Sequence, residues 1–442
     1  MEIDMNYVNP RCLLVLILGF LAICTPTVNA QLWQPVQYQD SYVFHGRFEQ
    51  TSNVLDVDGS HALLRGTNGG AYIFRLEADD TWILEAEIAM VEEGISFGFQ
   101  GCIDDGIAII SALGWVDAEG VRRGRAYAYE RDSKTGTWNA TYIFEPLDLA
   151  PEDAGLAGYN FGFRMALDGG LVVITDSRAA NAGDFNVGYV RFFERTAPGN
   201  WTASDTYFGL AADDRFGSAV DIHRGTVDIC AIGANQLEIP DANGTIEFFI
   251  RNEAGSWIPQ SNLLEGPGES SWPTDIDITG GRMAVSASNQ YGLPGIVQIW
   301  EGGEDDWTRR TTLLGGGEEK GGFGQTVQLG TSKMVVTQWF TAGLPSDGAA
   351  MIYEVNSEGE WRLTNTFNGA LDFPSNLGAT AGLIGDHLLV RNASGVVRNY
   401  LREVFDYPPD PVKDTCPGDI NGDGVVDAAD LGLLLSTWGF CL

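Results

Sequence analysis

Short apolar runs broken by turn residues recur along the chain with a period of about 50 residues. The clearest runs are Ala62-Leu-Leu64, Ile107-Ala-Ile-Ile110, Leu171-Val-Val-Ile174, Thr226-Val-Asp-Ile-Cys230, Met283-Ala-Val285, Met334-Val-Val336 and Leu388-Leu-Val390. Apolar stretches this short, bounded by Gly and Asp, predict buried β-strands. After each run a Gly stands five residues before an aromatic: Gly69/Phe74, Gly124/Tyr129, Gly188/Phe193, Gly244/Phe249, Gly295/Trp300, Gly348/Tyr353 and Gly395/Tyr400. Six of these aromatics are followed by a Trp (82, 138, 201, 257, 307 and 361), which predicts a further strand in each copy. The last copy lacks its Trp, while Trp33 has no copy before it. The missing final strand is therefore expected near the N-terminus.

An earlier segment opens most copies, with Phe97-Gly98, Phe161-Gly162, Phe216-Gly217 and Phe323-Gly324; Trp272-Pro273 takes that place in the fifth copy. Turn pairs such as Asp58-Gly59, Asp105-Gly106 and Gly169-Gly170 separate it from the apolar run, as a tight hairpin requires. Four short strands repeated seven times predict an all-β, seven-bladed β-propeller over residues 31–405, closed by the N-terminal strand. Closure removes the open sheet edges that a row of separate blades would present.

The Phe-Gly opening, the apolar strand and the Gly-to-aromatic strand together resemble FG-GAP repeats, known from integrin α-subunit heads and from secreted bacterial proteins. The resemblance covers all seven copies and is closest in the second to fourth. It implies blades that often carry calcium loops of the Asp-x-Asp-x-Asp-Gly kind. None stands between Gln31 and Phe405. Asp56-Val-Asp58-Gly59 and Asp275-Ile-Asp277 offer too few ligands and read as turn residues at strand ends. The repeated tryptophans read as packing between blades, because their phase is fixed. Trp115, Trp339 and Phe340 break that phase and offer either an exposed aromatic patch or local loop packing.

The two ends differ from the repeats. An apolar run from Cys12 to Ile23, closed by Val28-Asn29-Ala30, reads as a secretory signal peptide over residues 1–30 and is short for a membrane span. Residues 406–415, with Pro408, Pro409 and Pro411, read as a semi-rigid linker. Beyond it, Asp419-Ile-Asn-Gly-Asp-Gly-Val-Val-Asp-Ala-Ala-Asp430 sets side-chain oxygens at loop positions 1, 3, 5, 9 and 12 and a Gly at position 6. Calcium takes six to eight hard oxygen ligands, and an EF-hand loop supplies them at this spacing. The expected ligands are Asp419, Asn421, Asp423 and Asp430 by side chain, Val425 by its carbonyl, and Asp427 directly or through water. Leu431, Leu434, Leu435 and Trp438 then fall on one helical face. Cys416 and Cys441 flank the unit and are expected to pair in an oxidising compartment, adding roughly 3 kcal/mol. Cys102 and Cys230 lie in different repeats and are expected to be free and buried.

Asp at position 12, followed by Leu431-Gly-Leu-Leu-Leu435, resembles a dockerin repeat, the calcium-dependent anchoring module of secreted carbohydrate-active systems. The resemblance covers residues 416–442 and implies bound Ca2+ and a cohesin-like or other surface receptor. Positions 10 and 11, where dockerins often carry hydroxyl residues, are Ala428 and Ala429 here.

Charge narrows the partners. The chain has a formal net charge of −34. A surface so acidic repels nucleic acid and anionic membranes. Chemistry is harder to place. Among four histidines none forms a His-Glu-x-x-His zinc signature, and no Gly-x-Ser-x-Gly elbow occurs. Catalytic residues therefore stay unknown, and whether the chain is an enzyme is open, the balance leaning against it. The expected role is a secreted binding or display propeller, with a polysaccharide or protein ligand on one face, held to an extracellular assembly or cell surface by its calcium-binding tail. The alternatives are an extracellular polysaccharide-degrading hydrolase or lyase, and a self-associating surface-layer or adhesion protein.

Overall fold

The structure is a computed structural model. It describes residues 40–404 except 49, 91–95, 150–159, 182, 237–238, 240–242, 268–271, 289–294, 304–305, 316–321, 339–347, 369–379 and 392–395. The expected signal peptide (residues 1–30), the expected linker (406–415) and the expected calcium loop with Cys416 and Cys441 all lie outside the described residues.

Seven four-stranded antiparallel sheets form the expected seven-bladed propeller. In six blades the strands follow chain order from the inner to the outer edge. The seventh takes its outer strand from the N-terminal side: Asp40–Phe48 pairs with Val397–Val404. This is the predicted closure. The inner strands are Thr51–Asp58, Phe97–Asp104, Met165–Asp168, Phe216–His223, Asp275–Thr279, Phe323–Leu329 and Ala381–Ile384. The apolar runs form the second strands, and all but the fourth lie where expected. In that copy the strand is Ile229–Ala234, and Thr226–Asp228 belong to the preceding turn. Asp228 is drawn there because its carbonyl accepts from Arg251 N at 3.0 Å and its carboxylate pairs with the Arg251 guanidinium. Among the described residues no helix is long and apolar enough to cross a membrane.

The two repeated motifs turn out to be halves of one joint. The Gly of a third strand lies against the backbone of the Phe that opens the next blade. A Cβ on Gly188 or Gly295 would overlap the carbonyl oxygen of Phe216 or Phe323, and one on Gly244 that of Trp272. The backbone N–H groups of Phe161 and Phe216 donate across the same joint to Arg123 O and Val187 O, both at 3.0 Å. The aromatic rings are buried, so each joint pins one blade to the next.

The tryptophans also bridge blades, as expected. Each lies at the start of an outer strand and packs on the preceding blade. Trp257 stacks on Phe192 at 4.7 Å, Trp307 stacks on Phe248 at 5.5 Å, and Trp201 meets Phe144 edge-on at 5.2 Å. Trp82 meets Phe48 of the closing strand at 5.5 Å, so ring closure uses the same contact. Trp257→Ala is expected to cost about 4 kcal/mol, because it removes a fully buried ring and leaves a cavity between blades. Chemical denaturation measures this; a loss under about 1 kcal/mol would contradict the packing role. Cys102 and Cys230 are free and buried, in different blades, as anticipated.

Candidate functional site

The inner strands of all seven blades surround one central channel, a cavity of about 560 Å3. Strand side chains alternate, so every second residue of an inner strand faces the channel and the others enter the blade. Seven aspartates line it: Asp56, Asp58, Asp104, Asp168, Asp221, Asp275 and Asp277. This corrects the reading of Asp56 and Asp275-Ile-Asp277 as turn residues. Asp56 and Asp277 sit inside strands and Asp275 opens one, each beside a buried apolar neighbour such as Val57 or Ile276.

Each carboxylate accepts from a backbone N–H of the following blade. Asp56 accepts from Ile103 N at 2.8 Å, Asp104 from Gly169 N at 2.6 Å, and Asp168 from Arg224 N at 2.7 Å. Asp221 accepts from Ile278 N at 2.6 Å, and Asp275 from Val327 N at 3.0 Å. Asp58 and Asp277 accept from Asp105 N and Leu329 N in the same way. Gln328 does the same for Leu383 N at 2.6 Å, and Thr380 for Val54 N at 3.0 Å, so all seven seams carry such a bond. A hydrogen bond to a neutral acceptor contributes about 0.5–1.5 kcal/mol, and to a charged one about 1.5–3 kcal/mol.

The same placement perturbs the acids. Burial, opposed by the backbone donors, pushes Asp56 up to about 7. Burial together with the charges of Asp275 and Asp56 pushes Asp277 up to about 7. Asp221 is raised well above the usual carboxylate range, by burial and then by Asp277. Asp104 and Asp275 rise to about 6, again chiefly through burial. Arg164 enters at the end of the channel where chains cross between blades. Burial lowers its pKa, and the charge of Asp275 opposes that shift.

A second set of seams lies farther out. Arg131 pairs with Glu85 at 2.6 Å, Arg195 with Glu130 at 2.7 Å, Arg251 with Glu194 at 2.6 Å and Arg402 with Glu354 at 3.3 Å, each across a blade boundary. Burial pushes Glu85 up, but hydrogen bonds from Arg131 and Trp138 outweigh it and hold the acid at about 2.

The face carrying the inter-blade crossings and the longer loops has a different character. Leu210 is 89% exposed and Phe185 56%. Their loops are tied together: Asp213 N donates to Phe185 O at 2.9 Å, Arg215 N to Asn186 O at 2.8 Å, and the Asn186 amide to Asp213 Oδ1 at 2.8 Å. Asn186, Asp213, Arg215 and the nearby Gln236 all have positive φ. Backbone strain of this kind persists where a structure holds it in place, and it clusters at functional surfaces.

Trp115 is not an open platform, because the Arg125 guanidinium lies 3.3 Å over its ring. Trp339 and Phe340 lie outside the described residues, as do the expected calcium ligands Asp419, Asn421, Asp423, Val425, Asp427 and Asp430. Among the described residues no group of three or more His, Cys, Asp or Glu side chains is placed to hold a metal ion. Asp104, Asp168, Asp221 and Arg164 were not singled out from sequence. Their signal was a polar residue at alternate positions of an otherwise apolar inner strand, as in Val220-Asp221-Ile222.

No family model matches the chain, and no curated protein sequence does. Solved structures do match. A provisionally named 6-phosphogluconolactonase from Bacteroides uniformis is similar with a TM-score of 0.51 and 13% identity, over 78% of this chain and 92% of that one. The WD40 β-propeller domain of Doa1 is similar with a TM-score of 0.46 and 10% identity, over 81% and 96%. At such identities a likeness speaks of fold alone.

Proposed function

We propose that this is a secreted, non-catalytic binding or display propeller of the FG-GAP kind, attached to an extracellular assembly or cell surface by a calcium-binding, dockerin-like tail. The observation that carries the binding reading is the rigidly held apolar pair Leu210 and Phe185 on the loop face. Large apolar side chains this exposed, on loops fixed by a scaffold, mark interaction surfaces. The channel acids speak for the same reading, since each already accepts a backbone donor of the next blade.

The tail supplies attachment. Asp419, Asn421, Asp423, Asp427 and Asp430, with the Val425 carbonyl, form an all-oxygen donor set suited to a hard cation. Calcium there would neutralise several carboxylates and fix the loop against its short helix. Cys416 and Cys441 would then close the module by a disulfide.

The test is calcium-dependent capture from the native extracellular and envelope fraction, with Asp419→Ala/Asp423→Ala as the second bait. The expected result is a partner held in calcium and released by EDTA, with capture by the variant reduced at least about tenfold. Equal capture by both baits would remove the tail from the account. Release of reducing sugar from a polysaccharide panel would replace the binding reading with an enzymatic one.

A further inference from the structure

The channel aspartates have protein donors, but among the described residues the Arg164 side chain has no protein acceptor. Its guanidinium carries five N–H groups. Among the described residues none reaches an acceptor, and the Nε is sealed from solvent without one. The Phe163 ring lies 4.9 Å from the guanidinium and offers only its face. Asp275 acts on Arg164 through its charge but forms no ion pair with it. Gln100 and Gln325 line the same cavity, and their amides add further donors.

We infer that this end of the channel is a binding site for a small zwitterion, whose carboxylate docks on Arg164 and whose ammonium faces the channel aspartates. A simple anion would meet Arg164 but also the partly ionised lining of seven aspartates. A simple cation would satisfy the carboxylates and leave the guanidinium unanswered. A molecule carrying both groups answers both. Asp277 lies two residues along the strand from Asp275, roughly 7 Å deeper. An α-amino acid would therefore place its ammonium at Asp275, and an ω-amino acid would reach Asp277. The inference does not depend on the proposed tail or on the Leu210 surface.

Calorimetric titration of the full chain tests it, using alanine, lysine and 6-aminohexanoate, with hexanoate and hexylamine as single-charge controls. At least one zwitterion should bind saturably, with both controls at least about tenfold weaker. Arg164→Gln should weaken that ligand by about tenfold or more at an unchanged melting temperature. Should Arg164→Gln fail to fold, Arg164→Lys keeps the charge and removes the planar fork, and it should weaken the ligand too. Absence of saturable binding by every zwitterion would overturn the site. So would hexylamine binding as tightly as the zwitterions, which would reveal a general cation trap. Undiminished binding by the folded Arg164 variants would overturn it equally.

Discussion

Gly244→Ala is expected to destabilise the propeller by about 4 kcal/mol or more, enough to prevent folding at ordinary temperatures. Two effects add. The residue has a φ of +67°, which an L side chain adopts at a cost of about 1 kcal/mol. Its added methyl would also overlap the Trp272 carbonyl oxygen, a backbone atom of the next blade that has no rotamer to yield. Relief requires the fifth blade to move outward, and that opens the buried contacts of Trp272. Gly59→Ala is the matched control. Gly59 has a φ of +54°, but nothing lies within 4 Å of where its Cβ would be. It should lose only the conformational part, about 1 kcal/mol. Thermal melts of the two variants decide the matter. If they fall equally, the glycine is needed for its backbone angle, and the close joint between blades contributes nothing.

That joint explains why so much of the fold could be read from residues alone. Gly and Phe recur at fixed spacing because, at several boundaries, one blade offers a gap and the next an aromatic plug. A requirement met at several boundaries leaves a periodic trace in one sequence. The tryptophans left their trace for the same reason. The channel was harder to read, because no single residue type is required there. A seam needs only some oxygen to accept one N–H, and Asp, Gln328 and Thr380 all provide it. The register differs too. Blade 1 uses Asp56 and Asp58, while blade 3 uses Asp168 at the strand end. Asp58-Gly59 does end the strand at a turn, but Asp56 beside it reads as part of the same turn because a carboxylate near Gly is a common turn signal. The facing of Asp56 only becomes plain once the strand is known to continue past it. Arg164 left no pattern at all, since one blade carries it.

Acidification from pH 8 to about 5.5 is expected to stabilise the propeller, and Asp221→Asn/Asp277→Asn to remove much of that dependence. Asp56 and Asp277 titrate at about 7 and Asp104 and Asp275 at about 6 in the folded state, against an ordinary 3.8. A raised folded value means that the native state binds protons more tightly than the unfolded chain. The resulting stabilisation is complete below about pH 4 and is lost as pH rises through 6 to 7. Glu85 works in the other direction. It is held at about 2, so its contribution stands above about pH 4.5 and fades as pH falls toward 2. Together they place maximal stability on the acid side of neutrality, with a loss of roughly 5 kcal/mol between pH 5.5 and 8 and a fall of about 7 °C in melting temperature. Asn keeps a carbonyl oxygen to accept from Ile278 N and Leu329 N, but carries no charge to repel its neighbours. The double variant should therefore melt at or above the parent at pH 8 and match it near pH 5. Asp221→Ala/Asp277→Ala separates charge from hydrogen bonding, since it leaves both N–H groups without acceptors and should melt lower at every pH. Melting curves from pH 4.5 to 8.5 provide the check. A parent that is most stable at pH 8, or an Asn variant with an undiminished slope, would show that these carboxylates are comfortably ionised and that their seams hold as charged hydrogen bonds.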